Sequence, residues 1–541
     1  MNPETVYLRF IETTKRRREM PFLHVLQETA DIYGINAGDI SYADMASRVN
    51  TRAAQFKAAG YGAGHRVGLL LENRPVFIEI WLALNSLGVS VVPINPDLRV
   101  AELEYLTAHS AMCLAIVLPE RIKDLQLALA NAGLSFPLVS SENELPAAAQ
   151  AIESENTLDS QTECALLYTS GTTGQPKGCI LSNEYFLHCG DWYTQAGGLI
   201  SLHTDAERML TPLPLFHMNA MAVSVMAMIS SGGCLIQLDR FHPRTWWQSV
   251  QQCEATIVHY LGVMPTILMR AEPIEAERQH KVRFGFGAGV DKKLHAPFEE
   301  RCGFPLVEAW ACTETGSGGV ISAHEEPRHI GTACFGRPCD DVDVRVIDDA
   351  GNDVKAGTPG EMLVRRSGDN PRYGYFSGYL KNQAATDELW AGGWLHTGDV
   401  VVQGDAGDLH FIDRKKNVIR RSGENIAAVE VETVLNRHPE IGMSAAVAAP
   451  DDVRGDEVAV FIILDPSVGN VTADESKANE IVAWALQQMA YFKVPGWIAF
   501  VDQLPLTATQ KILRGELKKL LSSTLEENAF IDTRHLKKRQ V

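Results

Sequence analysis

Positive charge is what this chain of 541 residues most lacks: 49 Lys and Arg stand against 67 Asp and Glu, a net charge of −18. No long-range positive field would gather a polyanion, which argues against a general nucleic-acid binder. Any phosphate ligand must then be held by local Lys, Arg, backbone N–H groups and metal. The ten cysteines include no Cys-x-x-Cys pair and no recurrent spacing, so they read as reduced, mostly buried thiols of a cytoplasmic protein. Long apolar runs are missing too. Met1 to Met20 carries Lys15, Arg16, Arg17 and Arg18 but no apolar stretch after a basic start, so no secretory signal is expected. The most apolar stretch, Met218 to Ile236, is interrupted by Asn219, Ser224, Ser230, Ser231, Gly232 and Gly233. It is poor material for an integral membrane segment and reads as a buried helix running into a strand.

What is present is the balance of a soluble globular protein, 45% hydrophobic and 21% charged, long enough for two to four domains. Short apolar runs of strand length (Arg66 to Leu71, Val89 to Ile94, Cys113 to Leu118) alternate with helical patterns such as Val76 to Leu87 and Ala101 to His109. The alternation returns at Arg208 to Leu213, Gly232 to Leu238, Thr256 to Tyr260 and Val282 to Phe286, without a repeat of fixed period. The fold class is therefore α/β, with two α/β layers built on parallel sheets. After about residue 338, Val342 to Ile347 and Glu361 to Arg365 flank a turn-rich segment and predict a hairpin in a β subdomain. The polar run Asp413-Arg414-Lys415-Lys416-Asn417 is the candidate boundary. Beyond it helices at 427–437 and 478–489 and strands at 445–449, 458–464 and 497–501 predict a small α+β domain.

Chemistry concentrates in five places. Thr169-Ser170-Gly171-Thr172-Thr173-Gly174-Gln175-Pro176-Lys177-Gly178 follows an apolar strand. Its hydroxyls, its inward-turning glycine N–H groups and one ammonium are built to hold polyphosphate. It is no Walker A loop, because Lys177 lies between Pro176 and Gly178. Pro212-Leu213-Pro214-Leu215-Phe216-His217 ends a strand on an imidazole. Gly287-Ala288-Gly289-Val290 precedes Trp310-Ala311-Cys312-Thr313-Glu314-Thr315, and Gly393-Trp394-Leu395-His396-Thr397-Gly398-Asp399 precedes Arg414. Last comes Pro505-Leu506-Thr507-Ala508-Thr509-Gln510-Lys511-Ile512.

In this order and spacing the five elements resemble the signatures of the acyl-adenylate-forming superfamily of acyl-CoA synthetases, luciferases and peptide-synthetase adenylation domains, over nearly the whole chain. In look, 241–268 with 287–290 is most similar to the subset of carnitine and crotonobetaine CoA ligases. The resemblance implies a phosphate loop at Thr169, Ser170, Gly171, Thr172, Thr173, Gly174 and Lys177, with Gly287, Ala288 and Gly289 also against the nucleotide. It implies that Trp310 stacks on adenine, that Thr313 bonds the α-phosphate and that Glu314 gives a hard oxygen to Mg²⁺. Asp399 would accept the ribose hydroxyls with Arg414 beside it. His217 would close the acyl pocket, which Asn219, Val223, Gly316 and Gly318 line or flank. Lys511 is the implied catalytic ammonium, delivered by a mobile C-terminal domain (417–541) that turns on a hinge at 415–416, with Lys416 as the hinge residue, against the N-terminal domain (1–414). Ser422, Gly423 and Glu424 would line the coenzyme A channel.

The implied activity is that of an ATP-dependent, AMP-forming acyl-CoA synthetase acting on a small-molecule carboxylic acid, with ATP, Mg²⁺ and coenzyme A as partners. Two alternatives stay open. The acyl group could pass to a carrier protein or to oxygen, or the scaffold could be a non-catalytic binder, against which intact Lys511, Glu314 and Asp399 argue. Which acid is used, and whether the protein is a monomer or homodimer, are not readable. Four departures from the signatures stand out: Gln510 and Ala311 in place of Gly, Leu506 in place of a common Arg, and Ser422 in place of the first Gly of Gly-Gly-Glu-Asn. If the superfamily's glycine has positive φ, Gln510 costs about 1 kcal/mol or shifts its loop.

Overall fold

The computed structural model describes residues 4–98, 100–140, 145–148, 157–169, 176–203, 207–421, 424–451, 455–468, 472–489, 491–507 and 511–537. Among them four sheets form. The runs of Val, Ile and Leu picked out by sequence become strands buried on both faces. Ser90–Pro93 and Leu114–Val117 are buried at every position and flank Arg66–Leu70 in parallel, as expected of strands covered by crossover helices. That seven-stranded sheet closes with Glu163–Thr169, Lys177–Ser182 and Gly378–Tyr379 at one side and Leu138–Val139 at the other.

The second layer is an eight-stranded sheet, with Cys234–Gln237, Arg208–Thr211, Ile257–Leu261, Phe284–Ala288 and Leu306–Trp310 as parallel neighbours. Both layers feed one apolar cluster, in which Val67, Val91 and Leu167 join Leu210, Ile257 and Phe284. The helix Pro75–Asn85 starts on the proline that its first turn tolerates and is buried from Phe77 to Asn85. An all-round apolar helix of this kind belongs inside, not on a surface. The stretch Met218 to Ile236 does hold a helix, Val225–Ser231, running into the strand Cys234–Gln237. Before the helix lies one π-helical segment, Asn219–Ser224, which the sequence did not announce.

The predicted hairpin is present as antiparallel Val342–Ile347 and Gly360–Arg366, extended by Leu395–Gln403 and Leu409–Arg414 into a four-stranded sheet. A short 3-10 turn, Lys415–Asn417, then leads into the last region. There Gly455–Leu464 pairs antiparallel with Ile441–Asp451 and parallel with Trp497–Phe500. Its side chains alternate. Val458, Val460 and Ile462 meet the helices Ala428–Leu435 and Glu475–Gln488, whereas Ala459 and Phe461 meet Arg514–Glu526. The apolar clusters of the first 411 residues and those from Ile419 onward share no member. All ten cysteines are free, and Cys113, Cys312 and Cys339 are the ones with partial exposure. Among the described residues no helix is long and apolar enough to cross a membrane.

Candidate active site

Two antiparallel strands hold the phosphate loop at its base. Tyr168 pairs with Gly178 and Thr169 with Lys177, so the first hydroxyl and the lysine of the motif are cross-strand neighbours. Ser170, Gly171, Thr172, Thr173 and Gly174 lie outside the described residues. Lys177 Nζ sits over the Tyr379 ring, 4.7 Å from its centroid. The Tyr379 hydroxyl donates to Glu314 Oε1 at 2.7 Å, and burial, then the Glu314 charge, raises the phenol's pKa. The phosphate-loop lysine and the carboxylate expected to meet a metal thus flank one tyrosine. Glu314 is half-buried, with the other carboxylate oxygen carrying no hydrogen bond to the described tyrosine. A hard oxygen presented beside an ammonium fits a Mg²⁺–polyphosphate donor set.

Trp310 ends the strand Leu306–Trp310 with its ring 7% exposed, and its Nε1–H donates to Asp399 Oδ2 at 2.8 Å. Asp399 lies on Leu395–Gln403, opposite Arg414 on the neighbouring strand, and Arg414 Nε stands 2.5 Å from Asp399 Oδ1. Burial raises the pKa of this carboxyl, with Arg414 and Trp310 pulling the other way. A carboxylate removed from water is held charged only by such partners. The two residues expected at the ribose therefore face each other, and the indole has a second use as a donor that sequence reasoning missed.

Gly287 is buried, whereas Ala288 and Gly289 are exposed at the end of Phe284–Ala288. A Cβ on Gly287 would fall 2.2 Å from the Tyr260 carbonyl oxygen, so close strand packing demands glycine there. The N–H groups of Gly289 and Val290 are both spent on Glu308, at 2.8 Å each. Those two N–H groups are therefore not free for a nucleotide. Glu308 was not singled out, although an acidic residue inside the apolar run Leu-Val-Glu-Ala-Trp was a signal.

His217 follows the strand Arg208–Thr211 and packs on Phe216, ring centroids 4.7 Å apart. Burial, then the nearby charge of Lys511, pushes its pKa down to about 4, so the ring is neutral at pH 7. Lys511 keeps solvent access but lies in a crevice. Desolvation, then the Arg414 charge, lowers its ammonium pKa. The charge of this lysine thus acts on His217, and that of Arg414 acts on the lysine. Its own backbone is fixed by the N–H donating to Thr507 Oγ1 at 3.0 Å and by the Thr507 N–H bond to the Lys511 carbonyl at 2.7 Å. Gln510 lies outside the described residues. Leu506 bridges to Ile512 and packs on the apolar cluster of Leu517 and Leu521, which accounts for an apolar residue at that position.

Among the described residues, contacts between the C-terminal region and the rest include Arg437 Nη2 to Asp291 Oδ1 at 2.7 Å and Arg270 Nη2 to the Asn436 carbonyl at 3.1 Å. At the junction, Val429 N–H donates to Asp413 Oδ2 at 3.2 Å and Lys415 Nζ to Glu361 Oε2 at 2.8 Å. Lys416 belongs to the 3-10 turn, and Glu424 opens the strand Glu424–Ala427. Ser422 and Gly423 lie outside the described residues.

In the expected acyl pocket, Val223 is buried and Asn219 half-buried, and Asn219 Oδ1 has no hydrogen-bond partner among the described residues. The space over Gly316 is filled by the Tyr185 ring, and that over Gly318 by the Tyr373 carbonyl and the Tyr375 ring. Their smallness therefore serves close packing and leaves no added room for a bulky acid on that side. Thr313 is half-buried, and its carbonyl accepts from Tyr185 at 3.0 Å.

Residues 23–380 match the family described as AMP-binding enzyme, and residues 430–511 its C-terminal domain. A crotonobetaine/carnitine–CoA ligase of Escherichia coli O157:H7 (strain EC4115 / EHEC) is 29% identical over 529 residues, 91% of this chain and 97% of that protein. The enzyme of that name from Shigella flexneri matches equally. Among solved structures, the O-succinylbenzoate coenzyme A synthetase of Bacillus subtilis in complex with AMP aligns with a TM-score of 0.78 at 22% identity, over 94% of this chain and 98% of that one. An anthranilate CoA ligase in complex with anthranoyl-AMP aligns with a TM-score of 0.79 at 21% identity, over 96% and 98%. These two show a common fold. With the family signature spanning most of its length, the chain belongs to the AMP-binding enzyme family, in the superfamily of AMP-forming acyl-CoA synthetases.

Proposed function

We propose that this protein joins a carboxylic acid to AMP with release of pyrophosphate, then passes the acyl group to the thiol of coenzyme A. One observation carries the reading: Lys511, in the region after residue 415, lies near enough to the large N-terminal region for its charge to act on His217 and for that of Arg414 to act on it. A carboxylate attacking an α-phosphate brings two anions together, and an ammonium between them stabilises the charge that develops. Partial desolvation strengthens that interaction. Asp399 and Arg414 orient the ribose, Trp310 fixes Asp399, and Lys177 with the phosphate loop receives the phosphates. Glu314 would hold a Mg²⁺, which supplies charge neutralisation for the phosphate oxygens when bound. Neutral His217 with Phe216 shields the reacting carboxylate from water without adding a competing charge.

The second step needs a different surface. The C-terminal domain (417–541) turns about Lys416, withdraws Lys511 and presents the segment around Ser422, Gly423 and Glu424 to the pantetheine. The acid is a small organic carboxylate. Behind Asn219 and Val223, Ser224 Oγ meets His259 Nδ1 at 2.8 Å, and His259 packs against Tyr193 and Phe286. That wall is aromatic and uncharged, since burial drives His259 down to about 3. Pyrophosphate release across short, fatty, aromatic, steroid and betaine acids identifies the substrate. Lys511→Ala is expected to abolish pyrophosphate release while leaving thioester formation from supplied acyl-adenylate. Equal loss of both half-reactions refutes the assignment.

A further inference from the structure

A second cluster of potential metal ligands lies on the β subdomain, away from the residues given roles above. The segment 333–336 runs against the strand Leu409–Arg414. Phe335 N–H donates to the Leu409 carbonyl at 3.0 Å, Leu409 N–H to Gly336 at 2.8 Å and Phe411 N–H to Ala333 at 3.0 Å. In that register Cys334 bridges to His410. Cys334 Sγ, an Asp408 carboxylate oxygen and a His410 ring nitrogen all come within 4.8 Å of one another. His329 stands just outside this trio, with Nε2 3.7 Å from Asp408 Oδ2, and a side-chain rotation would bring it in as a fourth donor.

Hydrogen-bond accounting sharpens the case. Thr332 donates its only hydroxyl proton to the His329 carbonyl, at 2.5 Å. Thr332 Oγ1 can then only accept from His410 Nδ1, which lies 3.0 Å away. With Nδ1 as the donor, a neutral His410 ring aims the Nε2 lone pair at Asp408 Oδ2, only 2.5 Å off. Two lone pairs do not face each other at that distance, so without a metal a second proton sits between them, and a bound tetrahedral ion would replace that proton and spread the two atoms to about 3.3 Å. A ring nitrogen fixed by its other N–H is the usual arrangement of a metal-bound histidine. Gly336 N–H also points at Cys334 Sγ, at 3.4 Å, a contact that favours sulfur carrying negative charge.

We propose that Cys334, Asp408, His410 and His329 form a four-coordinate site for Zn²⁺ or a similar borderline divalent cation. One sulfur, two imidazole nitrogens and one carboxylate oxygen suit a tetrahedral zinc-type ion, whereas Mg²⁺ prefers all-oxygen octahedra. Binding replaces the Cys334 thiol proton, and any second His410 proton, with the metal, and the displaced protons go to solvent. The ion ties the 329–336 segment to the strand that continues into Arg414 and Lys415. Its role is structural, because four protein donors leave no open position for a reacting water.

The test uses the full chain stripped with a chelator and titrated with Zn²⁺ by calorimetry and with Co²⁺ by absorption. One equivalent per chain is expected, with tetrahedral cobalt bands and a sulfur-to-cobalt charge-transfer band. Cys334→Ser should remove the charge-transfer band, and Cys339→Ser should leave it. His329→Ala, at a partly exposed ligand that tolerates truncation, should weaken Zn²⁺ about tenfold or more and remove the Zn²⁺-dependent rise in melting temperature. Substoichiometric binding by the wild type overturns the proposal. So does a charge-transfer band that survives Cys334→Ser, or Zn²⁺ affinity unchanged by His329→Ala.

Discussion

The Arg437–Asp291 pair is the most direct handle on domain position, because it joins the C-terminal region to the turn after Phe284–Ala288. Its side chains are 27% and 10% exposed, between the regimes of surface and buried pairs. Exposed pairs contribute about 0.2–1 kcal/mol, and breaking a buried one costs about 3–5 kcal/mol. A value of about 1–2 kcal/mol for this pair corresponds to a factor of about 5–30 between poses. Arg437→Ala should therefore slow pyrophosphate release several-fold, up to about thirtyfold, since less of the protein holds Lys511 at His217. Thioester formation from supplied acyl-adenylate should hold steady or rise. The charge swap Asp291→Arg with Arg437→Asp should restore the first half-reaction. Both half-reactions measured on one preparation decide the matter. Equal slowing of the two, or a swap that fails to rescue while the fold is intact, refutes the reasoning.

Trp310→Phe keeps a flat ring but deletes the donor to Asp399. A hydrogen bond to a charged group contributes about 1.5–3 kcal/mol, so the KM for ATP should rise about tenfold or more, read from steady-state kinetics. His188, 9% exposed and lowered to about 4 mainly by burial, favours the fold in its neutral form. Its stabilisation is complete above the free imidazole value of about 6.5 and fades as pH falls toward 4, a loss of about 3 kcal/mol. Denaturant titrations at pH 7.5, 6 and 5 should show that decline, and His188→Gln should flatten it. In the C-terminal region Glu457 is wholly buried between Arg421 and Lys537. Glu457→Gln leaves two buried cations short of their counter-charge and should destabilise that region by about 3–5 kcal/mol in chemical denaturation.

Strands and helices were legible because apolar period and turn residues are local properties. The run Val458 to Leu464 shows it. Alternating burial on two faces of Gly455–Leu464 follows directly from the side-chain period of a strand. The motif residues were named one by one, and the structure pairs some of them: Asp399 faces Arg414, and Lys177 stands beside Thr169. Contacts between distant segments were not legible. Tyr379 reaches Glu314 across 65 residues, and Arg437 reaches Asp291 across 146. Nothing in either residue's neighbours in sequence encodes its partner. Glycine was the most ambiguous letter, since Gly316 and Gly318 admit aromatic rings rather than ligand. The π-helical turn at Asn219–Ser224 has no compositional mark that separates it from an α-helix.

An indole whose N–H is tied to the carboxylate expected to meet the ribose is also an optical probe built into the chain. If a nucleotide's hydroxyls claim Asp399, as proposed, the electric field along the Trp310 ring would change, and with it the colour and yield of the emitted light. Nucleotide occupancy could then be followed in real time without a label, with Trp310→Phe separating this signal from that of the other eight tryptophans.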